Sequence, residues 1–189
     1  QNGGFGKIFD LISNDCKQTL TVQYRMHPCI GTMISQIFYD GQVQNGIYAY
    51  DRTLNLTELS FKPMTWISTS NIDKKQRFEQ KIQMSSGRNS LRNPLEVDIM
   101  CRYLKQLEQD NAISGYSVGI ITPYRAQLNL IQKRIKSLGL VNVQVEANTV
   151  DAFQGSQKDI IFYSTVRSSD QAVIGFLKEE ARLNVSFSR

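Results

Sequence analysis

Residues 117–139 read SVGIITPYRAQLNLIQKRIKSLG, and the fold class follows from them. The first six residues form an apolar, β-branched run, which predicts a buried strand over Ser117–Thr122. An apolar stripe at the helical period comes next and predicts a helix that begins at Thr122-Pro123 and stops at Gly139. The stripe consists of Leu128, Ile131, Ile135 and Leu138. A strand followed directly by a helix is the repeating unit of a parallel sheet.

The same alternation of strand and helix patterns recurs along the chain. Two more helices are predicted, one between Pro28 and Gly41 and one from Asn93-Pro94 to about Gln109. Asn93 is the expected cap of the second helix, and Glu96 is the expected acid of a capping box. Four further short runs predict strands: Thr19 to Tyr24, Met64 to Ser68, Val143 to Thr149 and Ile160 to Val166. We therefore expect an α/β domain with a mainly parallel sheet.

Residues 70–92 follow neither pattern. They are polar, show no apolar period and include many cations. These are Lys74, Lys75, Arg77, Lys81, Arg88 and Arg92. We predict that residues 70–92 form a long, mobile surface loop.

Composition narrows the function classes. The chain has 189 residues, which suits one domain, and its net charge of +5 is compatible with a polyanionic partner without requiring one. Its only histidine is His27, and its three cysteines are widely spaced, so a disulfide framework, a zinc ribbon and any metal site with two imidazoles are excluded. No apolar run reaches the ~18 residues of a membrane span, and the first residues lack the basic, apolar and small-residue order of a signal peptide, so we expect neither a span nor a signal peptide. We expect an intracellular protein without a membrane partner, cytoplasmic or nuclear if it is eukaryotic.

The first residues contain a glycine-rich stretch, Gly3-Gly4-Phe5-Gly6-Lys7. A phosphate loop would need glycine in place of Gln1, a hydroxyl residue in place of Ile8 and a preceding strand. None of these is present. We therefore predict that the chain lacks a phosphate loop of its own.

Four motifs occur in a fixed order: QYRMHP at residues 23–28, ITPYRAQ at 121–127, TVDAFQG at 149–155 and RLNVSFSR at 182–189. In this order they resemble the second, C-terminal RecA-like motor domain of superfamily 1B helicases, in the branch of the nonsense-mediated-decay helicase and senataxin. The resemblance covers nearly the whole chain. It implies a three-layer RecA-like domain over residues 1–189, and it accounts for the missing phosphate loop because the family carries that loop on its first motor domain.

The resemblance also implies an ATP site. Arg25 and Arg189 would reach the γ-phosphate as catalytic residues, and Tyr24 would lie against the adenine. Gly155 would permit a turn or a close approach to the nucleotide, whereas Gln157 stands where the family commonly has an acidic residue that binds the ribose. Mg²⁺ would accompany ATP, held mainly by the absent first motor domain. The strand pattern agrees with this placement, because Tyr24 and Arg25 fall at the carboxyl end of a predicted strand, where open α/β sheets bind ligands.

Nucleic-acid contacts are implied in the same way for Thr122, Pro123 and Thr149, through hydroxyls and amides on the phosphate backbone. Tyr124 has two possible roles, stacking on a base or packing on its own sheet. His27 could be a general base, but phosphoryl transfer depends mainly on positioning and electrostatics. We therefore predict that His27 is a helix-entry residue bonded to nearby backbone.

These observations predict the C-terminal motor lobe of an ATP-dependent helicase or translocase, a hydrolase that acts on single-stranded DNA or RNA. Its nearest partner would be the first RecA-like domain of the same protein. We expect a fragment that ends just after the last motif and is inactive in isolation. Gln157 and Ala181, which replaces an arginine of the family motif, leave a second reading open: a nucleic-acid-binding or scaffold module with a degenerate motor. A third is the motor half of a helicase fused to a nuclease.

Overall fold

The computed structural model describes residues 11–18, 20–57, 62–168, 175–178 and 180–188. In chain order the strands are β1 (Val22–Gln23), β2 (Gln44–Asn45), β3 (Gln80–Gln83), β4 (Asn89–Arg92), β5 (Ser117–Thr122), β6 (Gln144–Thr149) and β7 (Ile160–Tyr163). The α-helices are α1 (Pro28–Phe38), α2 (Lys74–Arg77), α3 (Pro94–Gln109), α4 (Arg125–Leu138) and α5 (Glu180–Phe187). Short 3₁₀ helices span Asn14–Cys16, Ala49–Asp51 and Gly175–Lys178.

The central sheet has the order β6-β5-β7, and all three strands are parallel. Strand β5 lies in the middle, and Val118, Ile120 and Ile121 on it are fully buried. A parallel strand covered on both faces is expected to be apolar along its whole length, which is the pattern seen in the sequence. The prediction for Ser117–Thr122 is thus confirmed, while β6 begins one residue later and β7 ends three residues earlier than predicted.

Two apolar clusters lie on opposite faces of this sheet. The larger one joins α3 and α4 to the sheet and contains Val97, Met100, Leu104, Leu107, Ile113, Val118, Ile120, Ile131 and Val143. The smaller one contains Ile121, Val150 and Phe153, and Val185 of α5 packs against it. Because Ile120 and Ile121 are consecutive strand residues, they point to opposite faces. The result is the predicted three-layer α/β arrangement.

The three predicted helices all form, with bounds close to those expected. Pro28 and Pro94 are the first residues of α1 and α3, and Gly139 ends α4 in a left-handed conformation with φ of 63°. Asn93 caps α3, since its side chain accepts the Glu96 N–H at 3.3 Å. The prediction of a capping box is wrong. The carboxylate of Glu96 instead accepts hydrogen bonds from Ser164 Oγ, Thr165 Oγ1 and the Val166 N–H, because the chain leaving β7 passes over it.

A buried polar network connects α3, α4 and the end of β7. Asn93 and Gln127 exchange two hydrogen bonds, from the Asn93 N–H to Gln127 Oε1 and from Gln127 Nε2 to the Asn93 carbonyl. Gln127 Nε2 also donates to Ser164 Oγ at 2.9 Å, and Ser164 Oγ donates to Glu96 at 2.6 Å. Asn93 Nδ2 donates to the carbonyl of Val166, a fully buried residue with φ of +69°. Positive φ is costly for a β-branched residue, so this backbone is stabilised by its surroundings.

Two strand predictions need correction. Met64 to Ser68 is not a strand: its residues are exposed, and an apolar run without a neighbouring strand gains nothing from extended pairing. Of Thr19 to Tyr24 only Val22–Gln23 is a strand, paired in parallel with Gln44–Asn45 apart from the central sheet, and Thr19 lies outside the described residues. Among the described residues, the expected five-stranded sheet is therefore a three-stranded one with a separate two-stranded pair.

The prediction of an irregular loop over residues 70–92 is also wrong. This segment contains α2 and an antiparallel hairpin, β3–β4, with the register Gln80↔Arg92 to Gln83↔Asn89. The hairpin is held by polar contacts, such as the hydrogen bond from the Ala126 N–H to Ser90 Oγ, so apolar periodicity could not indicate it. The mobility of the segment stays a prediction.

Two further sequence features lie outside the described residues, namely the glycine-rich stretch Gly3–Lys7 and Arg189. Among the helices that are described, none combines the length and the hydropathy required to cross a bilayer.

Glu96 makes a testable contribution to the pH dependence of stability. Burial raises the pKa of Glu96 above its ordinary value of 4.5, despite the hydrogen bonds from Ser164 and Val166 that oppose the change. Between 4.5 and the raised folded-state pKa, the folded state binds more protons than the unfolded state, so the free energy of unfolding falls as the pH rises. Glu96→Gln should abolish this loss in urea unfolding measured from about pH 4 to 7.

Glu108 on the same helix is the matched control. The N–H groups of Asn142, Val141 and Val143 bond its carboxylate and hold the pKa of Glu108 below 4.5. The stability that Glu108 supplies is present above 4.5 and is lost as the pH falls through its lowered pKa. Glu108→Gln should therefore be less stable than wild type above 4.5, and this difference should shrink as the pH falls below 4.5. Equal pH profiles for wild type and Glu96→Gln would contradict the assignment for Glu96.

Candidate nucleotide and nucleic-acid site

The predicted nucleic-acid contacts fall at the carboxyl edge of the central sheet. Thr122 and Thr149 are paired residues at the ends of β5 and β6, so the structure brings these two together. Pro123 follows Thr122 and, like Thr149, is partly accessible. This edge is where open parallel sheets bind ligands.

Two members of this set are less accessible. Thr122 is fully buried, so its hydroxyl does not reach the surface. Tyr124 is 8% exposed, and it lines a surface cleft together with Pro123 and Arg125. This burial favours a packing role for both residues, while base stacking by Tyr124 and a phosphate contact by Thr122 stay predictions.

The turn after β1 is closed by one side chain, that of Gln23. Gln23 Oε1 accepts the N–H groups of Arg25 and Met26 at 2.9 and 2.7 Å. Gln23 Nε2 donates to the Met26 carbonyl at 3.0 Å and to Asn45 Oδ1 on β2 at 2.7 Å. The amide group uses both its donor and acceptor capacity, which explains a glutamine at the first position of QYRMHP.

Arg52 supports the same turn from outside. Its Nη2 donates to the Tyr24 carbonyl at 3.0 Å, and its Nε donates to the Arg25 carbonyl at 2.9 Å. A planar guanidinium is suited to bonding two carbonyls at once. Sequence reasoning missed Gln23, Asn45 and Arg52, and the only available signal was that Gln23 begins the QYRMHP motif.

Two motifs that are far apart in the sequence meet at Arg25. Arg25 is exposed, and its Nη1 donates to the carbonyl of Ser188 at 3.4 Å, across 163 positions of sequence. Ser188 directly precedes Arg189. The structure thus brings the first predicted finger, Arg25, to the backbone of the last motif, which contains the second.

Helix α5, which contains most of that last motif, is attached at two further places. Arg182 pairs with the Asp151 carboxylate in the TVDAFQG motif, with its Nε 3.3 Å from Oδ1. Asn184 Nδ2 donates to Tyr39 Oη, just after α1, at 2.8 Å. Below the helix, Tyr163 meets Phe187 edge to face, and burial raises the pKa of Tyr163 to about 12. These contacts fix α5 relative to α1 and the central sheet.

Gly155 ends the tight turn over residues 151–155 that follows β6. Its φ of +92° is a conformation that other residues rarely adopt, so the prediction that Gly155 permits a turn is confirmed. Gln157 is exposed two residues later, and no hydrogen bond within the described part of the chain joins it to another predicted site residue. Its ribose contact stays a prediction.

His27 behaves as predicted. Its Nδ1 accepts the Cys29 N–H at 3.1 Å, which caps the start of α1. An imidazole nitrogen that accepts a backbone N–H is occupied as a cap, in agreement with a structural role at the helix entry.

The described residues do not offer Mg²⁺ a set of ligands. Mg²⁺ that accompanies a nucleotide is bound by carboxylate and phosphate oxygens. Within the described ranges, no three His, Cys, Asp or Glu side chains form a group that could hold a metal. The carboxylate of Asp151, in the TVDAFQG motif, is paired with Arg182. That the first motor domain holds the ion stays a prediction.

Comparison with known proteins identifies relatives. The chain is 35% identical over 181 residues to the "Regulator of nonsense transcripts 1 homolog" of Drosophila melanogaster, covering 90% of this chain and 14% of that protein. It is 32% identical over 176 residues to the "ATP-dependent helicase NAM7" of Saccharomyces cerevisiae, with coverage of 90% and 17%. It is 32% identical over 174 residues to "Helicase sen1" of Schizosaccharomyces pombe, with coverage of 90% and 10%. The chain therefore spans less than a fifth of the length of these relatives.

These relatives confirm the resemblance on which the site residues were predicted, since they include both the nonsense-transcript and the sen1 helicases. The model of one family, described as "AAA domain", matches residues 5–189. With the parallel sheet and the meeting of the first and last motifs at Arg25 described above, this match shows that the chain belongs to the AAA domain family, as a RecA-like motor domain of superfamily 1B helicases.

Proposed function

We propose that this chain is the C-terminal motor lobe of an ATP-dependent nucleic-acid helicase or translocase, and that it supplies Arg25 and Arg189 as arginine fingers. The supporting observation is the hydrogen bond from Arg25 to the Ser188 carbonyl, which connects two motifs from opposite ends of the chain. The relatives that are named helicases support the activity of the complete protein.

The residues around Arg25 fit an ATP site at an exposed edge. Arg25 is exposed, and a planar, cationic guanidinium is suited to neutralising the charge of a phosphoryl transition state. Tyr24 beside it is 64% exposed, so its ring is available to an adenine. ATP, when bound, supplies the free energy of phosphoryl transfer. The contribution of this chain is to hold Arg25 in place through Gln23 and Arg52.

An exposed apolar face beside Arg25 supports the proposal that a partner lobe binds there. Leu20 is 86% exposed, Val22 41% and Tyr24 64%, although they alternate in the sequence in the way that the core residues of a strand do. Tyr48 and Tyr50, both exposed, stack with ring centroids 5.5 Å apart just after β2. Exposed apolar surface of this kind indicates an interaction site. We assign it to the first RecA-like domain of the same protein, which would also bring the phosphate loop and the ligands of Mg²⁺.

The grip on single-stranded DNA or RNA would be made at the carboxyl edge of the sheet. Thr149 and Pro123 are accessible there, and Thr122 and Tyr124 support them from behind. Contacts of this type bind phosphates without reading bases. The attachments of α5 to Asp151 and Tyr39 connect this edge to Arg25, so closure of the two lobes would act on both.

Removal of either finger tests this proposal. In the complete protein, Arg25→Ala and Arg189→Ala should each lower the kcat of nucleic-acid-stimulated ATPase by about 10³-fold, the scale of arginine fingers. Binding of single-stranded RNA or DNA without nucleotide should persist. Arg102→Ala, at an exposed arginine on α3, is the control and should retain wild-type turnover. Full ATPase activity in Arg25→Ala would show that Arg25 is not part of the site. A wild-type protein that binds nucleic acid but has no ATPase activity would favour the alternative function, a nucleic-acid-binding or scaffold module with a degenerate motor.

Arg52 should act through the position of Arg25. Arg52→Gln loses the two bonds to the carbonyls of Tyr24 and Arg25, so we expect kcat to fall by about 10- to 100-fold, the cost of a misplaced catalytic group. The KM for ATP should change much less, and Arg52→Lys should recover part of the loss. An Arg52→Gln enzyme with unchanged kcat would show that the turn keeps its geometry without this side chain.

Gln157 offers a test of the ribose contact. A carboxylate accepts stronger hydrogen bonds from ribose hydroxyls than an amide, by on the order of 1 kcal/mol, or roughly fivefold in affinity. Gln157→Glu should therefore lower the KM for ATP several-fold at nearly constant kcat, with a smaller gain for 2′-deoxy-ATP. Gln154→Glu adds the same charge at an exposed position of the preceding turn and serves as the control. Identical KM values for both nucleotides in all three proteins would reject the ribose assignment.

A further inference from the structure

A cleft of about 510 Å³ opens between the hairpin β3–β4 and the start of α4. It is lined by Lys81 and Asn89 on the hairpin, Pro123 and Arg125 at the start of α4, and Arg167 after β7. Its volume lies within the range of ~300–1,000 Å³ typical of ligand sites. Three of the lining side chains are cationic, those of Lys81, Arg125 and Arg167, so the cleft is suited to an anionic ligand.

The walls of this cleft are held in place by hydrogen bonds. The Ala126 N–H donates to Ser90 Oγ at 3.1 Å, which joins the hairpin to α4. Glu79, just before β3, accepts Arg167 Nη1 at 2.9 Å and the Ser168 N–H at 3.0 Å. Burial acts to raise the pKa of Glu79, but these two bonds hold it below its ordinary value, so Glu79 stays charged and orients Arg167. The cleft is therefore formed before any ligand binds.

The charge of this cleft is unbalanced. Arg167 is paired with Glu79, but Lys81 and Arg125 are exposed and form no ion pair with another described residue. Lys81 belongs to the cation-rich part of residues 70–92, where positions 74–92 contain six Lys and Arg residues and Glu79 as the one acidic residue. Lys81 and Arg125 therefore line one groove as two cations without an ion pair to a described residue. Cations in such an arrangement are typical of a nucleic-acid-binding surface.

We propose that this cleft binds the phosphate backbone of single-stranded nucleic acid through Lys81 and Arg125, extending the grip from the sheet edge onto the hairpin. The inference rests on the proposed function, because Pro123 belongs both to the predicted grip and to the wall of the cleft. A strand held at Thr149 and Pro123 continues into the cleft without leaving the protein surface. The contacts are to phosphates, so they contribute affinity without sequence preference.

Titration of a fluorescent single-stranded oligonucleotide against the complete protein, without nucleotide and at several salt concentrations, tests the cleft. Lys81→Glu and Arg125→Glu should each weaken binding several-fold at ~0.1 M salt, equally for different sequences. Each should also lower the slope of log K against log salt by about 0.7, the value for one phosphate contact on a single strand. Lys133→Glu, on the same helix but outside the cleft, makes the same charge change and should leave the salt slope near the wild-type value.

The outcomes separate this inference from the function on which it rests. If the wild type binds the oligonucleotide and shows stimulated ATPase, but Lys81→Glu and Arg125→Glu match Lys133→Glu, the cleft is not part of the grip and only this inference fails. If the wild type binds no single strand at all, the proposed function and this inference fail together.

Discussion

The fold depends on the buried hydrogen-bond network around Asn93 and Gln127. These two residues are fully buried, and their side chains connect α3, α4, the segment after β7 and the end of α2. A buried polar group that loses its partner costs about 1–3 kcal/mol, so each member of the network requires the others. The same network holds Val166 at positive φ and thereby directs Arg167 and Ser168 toward the hairpin. The position of the basic cleft follows from this constraint.

The proposed site has two parts, and contacts of helix α5 connect them. At one part, Gln23 and Arg52 fix the backbone of Tyr24 and Arg25, and Arg25 meets the last motif at Ser188. At the other part, Thr149 and Pro123 form an accessible edge beside the cleft. Helix α5 is bonded to both the turn after β6 and the residue after α1, so it connects the two parts. This arrangement suits a lobe that couples nucleotide contact to a grip on a strand.

The structure changes the interpretation of the cation-rich segment over residues 70–92. As a sequence it lacks apolar periodicity and suggests only a solvated loop. In the structure, its hairpin is bonded to α4 and to the chain after β7, so the backbone that carries its cations is held in place. A cation on such a backbone next to a groove loses less backbone freedom on binding than one on a flexible loop, and it can contribute more to affinity.

The sequence by itself determined the local features. Apolar periodicity located α1, α4 and β5, because burial of one helix face or of a whole central strand leaves a regular pattern, and capping residues located α3. Motif order identified the family and predicted the residues of the site. The cap at His27 was predicted from the sequence as well. Tertiary structure decided whatever depends on long-range polar contacts, which leave no periodic signal. These are the hairpin, the actual partners of Glu96, the support of Arg25 by Arg52, and the burial of Thr122 and Tyr124 behind the edge where the sequence placed them.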